Sequence, residues 1–361
     1  MKNLKKMIKF VLIICLMAIT LTACGGGSGG TTNKDTTPPG SPTGLVVNSI
    51  SATTVQLSWG SSTDNVMVGG YKVYRNGIYL ATTTSPSFTD MALTGNTQYC
   101  YEITAYDASA NESSRSASVC DWTYAWVVSA NPNDSRIYNI AYGKYPDYPQ
   151  YAALTTYSSY FRMIYSKDAS WGTSVILFPA FWSGGLQQST TITADWHTDG
   201  DDLVINSSGT LAGLSADIVI RLSPPANNVF AATVNVTTTG SVVLDNRPGE
   251  AFKPVMLSSM NINSNYWDTQ YAYVGASQYS LPSDGWVITP TTTGSLFGLK
   301  GGTSSALWEP NKPTIEISLD RNMQVTGWVT PSADHNDDNV GFWAATDSVL
   351  SSWQYTITAK Q

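Results

Sequence analysis

From Pro38 onward, apolar and polar positions alternate in short runs, with turn residues about every ten positions, which is the period of half-buried β-strands. Val55, Leu57 and Trp59 alternate with Gln56 and Ser58, and Tyr71, Val73 and Arg75 alternate with Lys72 and Tyr74. Asn76-Gly77 then supplies a hairpin turn. Tyr99, Tyr101, Ile103 and Ala105 mark the apolar face of a later strand. Further strands are expected at Tyr160–Tyr165, Thr173–Phe178, Leu203–Asn206, Ala216–Leu222, Val229–Thr237, Ser241–Leu244, Thr314–Leu319, Val325–Val329 and Trp353–Ala359. Asp217–Leu222 and Phe230–Val236 are expected to pair through the loop Ser223–Asn228. No stretch sustains a 3.6-residue apolar period and no repeat of 20–50 residues stands out, so helices should be short and few. The expected class is all-β: a small sandwich over residues 38–124, then one large antiparallel β-sandwich over residues 130–361.

The first 24 residues break this pattern. Lys2, Lys5, Lys6 and Lys9 precede an apolar run from Phe10 to Leu21, the arrangement of an export signal and too short to cross a bilayer of about 30 Å comfortably. The run ends in Leu21-Thr22-Ala23-Cys24, which resembles the bacterial lipobox and implies a lipid on Cys24 as the mature N-terminus. An ordinary signal peptide with a nearby cysteine is the plainer alternative. Gly25 rather than Asp after the cysteine implies, by resemblance to Gram-negative lipoproteins, the outer membrane. The expected address is therefore the cell envelope, lipid-anchored, at the outer membrane or cell surface. Residues 25–37 (GGGSGGTTNKDTT) have no apolar content and read as a flexible tether of about 20 Å r.m.s. span.

Loss of the signal removes four of the 19 basic residues and no acid, leaving 15 basic against 26 acidic residues, a net charge of −11. Such a surface repels phosphate backbones and excludes nucleic acid as a partner. Of four cysteines, Cys15 leaves with the signal and Cys24 takes the lipid. Cys100 and Cys120 remain, an even pair that reads as a disulfide in an oxidising compartment.

PPGSPTGL, VQLSW, VGGYKVYRNG and LTGNTQYCYEITAYDASANES resemble a bacterial fibronectin type III module of the kind attached to secreted polysaccharide-degrading enzymes. The resemblance covers about residues 38–124. It implies that Trp59 is a core tryptophan of strand B and that Tyr99 is a corner tyrosine whose hydroxyl ties a loop to the backbone. With Asp107–Ser113 as a turn, the hairpin centre falls near Ala110 and sets Cys100 opposite Cys120 on the outward face. Asp35, Asp64, Asn65, Asp107 and Asn111 lie in loops; they are either turn caps or a calcium site at one end of the sandwich.

Residues 130–361 resemble no family reliably. Nine tryptophans lie there, and Trp182, Trp196, Trp267, Trp308 and Trp343 sit in turn-rich polar contexts (FWSGG, ADWHTDGDD, NYWDTQ, LWEPN, VGFWAA). Wet aromatics suit stacking under a sugar ring; singly, each could equally plug the sandwich. Glycoside hydrolysis needs two carboxylates. The candidates are Glu250, Glu309, Asp195 and Asp268, with His197 as a base; Glu316 reads as a solvent-facing strand position. Asp334, Asn336 and Asp338 have the 1, 3, 5 spacing of a calcium loop without its glycine and final glutamate, so calcium and a solvated turn both remain open there. Between residues 130 and 361 no G-x-S-x-G or H-E-x-x-H occurs, which removes the serine-hydrolase and zinc-protease readings there. The favoured expectation is a carbohydrate-binding surface lipoprotein that is not an enzyme. A glycoside hydrolase or polysaccharide lyase on the same scaffold is the alternative, and an adhesive protein without a small ligand the third.

Overall fold

The computed structural model describes residues 34–132, 134–147, 150–157, 160–165, 173–176, 180–182, 186–187, 191–226, 229–245, 252–260, 269–280, 292–301, 314–330 and 339–360. Every regular element among them is a strand, so the all-β class holds.

The first seven strands are β1 (Thr43–Ile50), β2 (Val55–Gly60), β3 (Val68–Arg75), β4 (Ile78–Thr83), β5 (Ser87–Asp90), β6 (Gln98–Asp107) and β7 (Val119–Trp122). They form two antiparallel sheets, β1-β2-β5 and β4-β3-β6-β7. Alternation drives this arrangement. Val55, Leu57 and Trp59 from one sheet meet Tyr71, Val73, Tyr101, Ile103 and Ala105 from the other in a single core, each large side chain contributing about 1.5–3 kcal/mol of burial. Trp59 packs edge-on to Tyr71 with ring centroids 5.4 Å apart.

Polar devices lock the same sheets. Asn76 and Gly77 hold φ of 51° and 78°, the double positive φ of a type I′ turn, and Arg75 pairs with Ile78 across it. The Thr94 backbone N–H donates to the Tyr99 hydroxyl at 3.1 Å, as expected of a corner tyrosine. Cys100 and Cys120 face each other in the β6–β7 register and are disulfide-bonded. Arg75 reaches both oxygens of the buried Asp90, and the Tyr101 hydroxyl donates to the same carboxylate at 2.8 Å.

The remaining strands are β8 (Ala125–Asn131), β9 (Asp134–Gly143), β10 (Gln150–Tyr157), β11 (Tyr160–Tyr165), β12 (Thr173–Ile176), β13 (Ala180–Trp182), β14 (Leu186–Gln187), β15 (Thr191–Asp199) and β16 (Asp202–Leu211). After them come β17 (Leu214–Ala226), β18 (Val229–Gly240), β19 (Phe252–Met260), β20 (Thr269–Val274), β21 (Ser277–Ser280), β22 (Thr292–Gly301), β23 (Thr314–Thr330), β24 (Asn339–Thr346) and β25 (Ser352–Lys360). Their ladders make one continuous antiparallel sheet, from β8 through β9, β10, β11 and β12 to β19, then β24, β23, β25, β18, β17, β16 and β15. Strands β13 and β14 branch from β19, and β22, β20 and β21 branch from β23. The sheet curls like a barrel: Tyr138 of β9 meets Trp196 of the edge strand β15 at 5.0 Å, and Trp126 reaches Phe230 of β18 across the core at 6.5 Å, ring to ring. One sheet thus supplies both faces of a single large core.

The clearest alternation is in β17, where Ala216, Ile218, Ile220 and Leu222 are buried, with β18 pairing along its length. Two expectations change here. Ser241–Leu244 is not a strand: Gly240 takes φ of 102° and the chain leaves the ladder, with Val243 84% exposed. Ser223–Ala226 belongs to β17 rather than to the turn, across a register shift that accommodates Pro224 and Pro225.

Only Thr123 and Tyr124 separate β7 from β8, and Thr123 is fully buried. Its hydroxyl donates to the Thr94 carbonyl at 2.7 Å and accepts from the Thr97 amide at 3.0 Å. Asp201, in the turn between β15 and β16, accepts from the Ser51 and Thr53 hydroxyls at 3.1 and 2.8 Å. The Trp126 indole donates to the Asp201 carbonyl at 2.9 Å. The small sandwich and the large sheet are therefore bonded directly to each other.

Candidate functional site

The β15–β16 hairpin carries the sequence candidates that can be placed with their side chains. Asp195, Trp196 and His197 lie within β15, opposite Asn206, Ile205 and Val204. The turn-rich context expected around Trp196 and His197 is corrected here: the strand runs on to Asp199, and the chain reverses only after it, at Gly200 with φ of 63°. Strand alternation then separates the candidates. Trp196 shares the row of Ile205 and the buried Ile220, whereas Asp195 and His197 point to the opposite face. A sugar stacked on Trp196 is therefore out of reach of Asp195 and His197, and these three residues do not build one catalytic centre.

On its own face Trp196 is 38% exposed and lies against Tyr138 of β9. The two rings form a half-open aromatic step at the seam of the sheet, of the kind that accepts a flat apolar ligand face. The sequence did not single out Tyr138, because its partner lies more than fifty residues away across the seam. On the other face, Asn206 donates to Asp195 at 3.0 Å. Arg221 of β17 bridges Asp199 and Asp202 at 2.7 and 3.0 Å. The Arg221 hydrogen bond and charge hold the Asp199 carboxyl below the usual carboxylate range, with His197 a small further influence. A glycosidase general acid needs the opposite shift, so Asp199 serves as an ion-pair anchor.

The other candidates divide by placement. Trp182 lies on β13 opposite Leu186, and Trp343 on β24 opposite Met256 and Thr326. Cys24, Glu250, Trp267, Asp268, Trp308, Glu309, Asp334, Asn336 and Asp338 lie outside the described residues.

A second cluster sits on the small sandwich. Asp35, Asp64 and Asp107 each bring a carboxylate oxygen within 4.8 Å of the others. Each carboxylate is fixed by short-range bonds. Asp35 Oδ1 accepts from the Thr37 amide and the Asn65 side chain. Asp64 Oδ2 accepts from the amides of Val66 and Met67, both at 2.9 Å, and Asp107 accepts from the Asn111 backbone and side chain at 2.8 and 2.7 Å. The Thr37 and Asn65 hydrogen bonds hold the Asp35 carboxyl below its ordinary value. Such a group of hard oxygen donors can coordinate a divalent cation.

No protein-family model matches the chain. Exoglucanase B from Cellulomonas fimi is 30% identical over 215 residues, 58% of this chain and 17% of the relative. Chitinase Chi52 from Paenibacillus xylanexedens is 47% identical over 96 residues, 26% of this chain and 18% of the relative. The matches thus span less than a fifth of either enzyme's length. Among solved structures, the crystal structure of FN3tt is 25% identical, with a TM-score of 0.22, covering 24% of this chain and 96% of that one. The curated relatives are enzymes by name, and this overturns the expectation of a protein that is not an enzyme.

Proposed function

We propose that the chain is a polysaccharide-active enzyme, a glycoside hydrolase or polysaccharide lyase, whose large β-sheet unit carries the substrate cleft. The observation behind this reading is the stretch of about 100 residues at 40–47% identity shared with a chitinase, an alpha-amylase and an exoglucanase. That length is close to the span of β1–β7 and its flanks, so we assign residues 38–124 as a fibronectin type III accessory module. The catalytic carboxylates are then sought in the large unit, where Glu250, Glu309 and Asp268 flank aromatic or basic residues in the sequence. Trp196 and Tyr138 serve as a sugar-binding step on the same unit. Lys2–Cys24 supports export and lipid anchoring at the cell envelope, which suits an insoluble external substrate.

The test is product release by the full chain from a panel of neutral and acidic polysaccharides. New reducing ends alone indicate a hydrolase; unsaturated products absorbing in the ultraviolet indicate a lyase. Absence of both from every polysaccharide, with and without calcium, sinks the reading.

A further inference from the structure

We propose that Asp35, Asp64 and Asp107 form a calcium site that clips the segment entering the small sandwich to the β2–β3 connection and to the end of β6. The proposal is independent of the enzymatic reading. The cluster alone would be unremarkable, because acidic groups gather on many surfaces. What marks this one is how its oxygens are used. Asp35 and Asp64 each spend one oxygen on local hydrogen bonds and turn the other inward. Those inward atoms, Asp35 Oδ2 and Asp64 Oδ1, are shut off from solvent and have no hydrogen-bond partner. A buried carboxylate oxygen facing other carboxylates without a donor is unfavourable on two counts, desolvation and like-charge repulsion. Among the described residues no lysine or arginine forms an ion pair with any of the three. A bound cation removes both penalties at once.

The chemistry selects calcium. All donors are hard oxygens that lie within 4.8 Å of one another, close enough for one calcium ion to reach all three at about 2.3–2.6 Å. Magnesium keeps most of its water, which these solvent-excluded oxygens do not admit. Asn111 ties the site together: its side-chain amide donates to Asp107 Oδ2 and to the Asp35 carbonyl at 3.0 Å. Three segments distant in sequence therefore meet at one point.

Lys34, exposed and immediately before Asp35, gives a local readout. Endoproteinase Lys-C cuts after Lys34 only when that segment lifts off the sandwich. For the chelator-treated full chain, about 2 mM calcium should slow this cut about fivefold or more, whereas the same magnesium should not. Asp64→Asn keeps an oxygen for the Val66 and Met67 amides but loses the charge. It should be cut at the parent's rate in chelator and gain no protection from calcium. Asp35→Asn, with circular dichroism confirming the fold, provides the same comparison from a second ligand. Calcium bound elsewhere, for instance at residues 334–338, would leave the protection intact in both variants, so the two sources are distinguished. Equal cleavage with and without calcium, equal protection by magnesium, or calcium protection retained in both variants overturns the site.

Discussion

The two halves of the molecule solve the same problem by different means. The small sandwich has a core of few side chains, so it adds discrete polar locks: a disulfide, a buried Asp90 held by Arg75 and Tyr101, a corner tyrosine and an acidic cluster. The large sheet has a long apolar interior drawn from many strands and relies on alternation sustained over β16, β17, β18 and β25. Small domains bury a smaller fraction of their surface, and each lock offsets part of that deficit. A lock should therefore matter in the first region and a methyl group in the second.

The largest effect is expected in the big core. Ile220 is fully buried, and Ile220→Ala should lower the stability of the large unit by about 3–4 kcal/mol, read as an earlier unfolding transition in denaturant. The transition of the small sandwich should move little. Next comes the disulfide. Cys100→Ser with Cys120→Ser frees a loop with a sequence separation of 20 and should cost the small sandwich about 3 kcal/mol, with the large unit unchanged. A destabilisation shared equally by both units would erase the comparison.

The smallest effect is a pH dependence. Glu112 accepts hydrogen bonds from Lys72, Tyr74 and Thr104 on the outer face of the second sheet. Burial works against its ionisation, but these bonds outweigh it and bring its pKa from 4.5 to about 2. Since the folded-state value is the lower one, the stabilisation is complete above about pH 4.5 and fades as pH falls toward 2. Allowing for partial exposure, Glu112→Gln should cost about 1–2 kcal/mol at neutral pH and flatten the acid limb of stability in that window. Parallel curves for parent and variant through that window would show that the group contributes nothing.

Legibility followed the same division. In the small sandwich the signals were local: Asn76-Gly77 named its turn, Leu93 to Tyr99 its corner, and the symmetry of Cys100 and Cys120 about Ala110 their register. The loop aspartates were readable as residue types, and the fold brought Asp35, Asp64 and Asp107 together across seventy residues. In the large unit alternation located β11, β17, β18 and β25 and the pairing of β17 with β18, but not the partners of β11 or β25. Strand β23 is the instructive failure. The polar triplet Asp320-Arg321-Asn322 reads as a break between two strands, yet one strand continues across it, with the triplet bulged out of the β22 register between Ser318 and Met323. Its first half pairs with β25 and its second with β24, while Asp320 is held at the changeover by Arg321 and by the Gln354 amide at 3.1 Å. His197 failed for a related reason: its polar context, ADWHTDGDD, read as turn-rich, whereas β16 pairs with the segment as a strand. Asp201 carries no local sign that it bonds a second unit.

The division of labour is tested most directly by polysaccharide turnover in three full-length forms. Parent and the Cys100→Ser/Cys120→Ser form, assayed below its unfolding temperature, should turn over alike if, as proposed, the small sandwich does not perform the chemistry. Glu250→Gln with Glu309→Gln should lose about a thousandfold in rate without loss of fold. Full activity in that carboxylate variant, or an equal collapse in the cysteine variant, would contradict the assignment of catalysis to the large β-sheet unit.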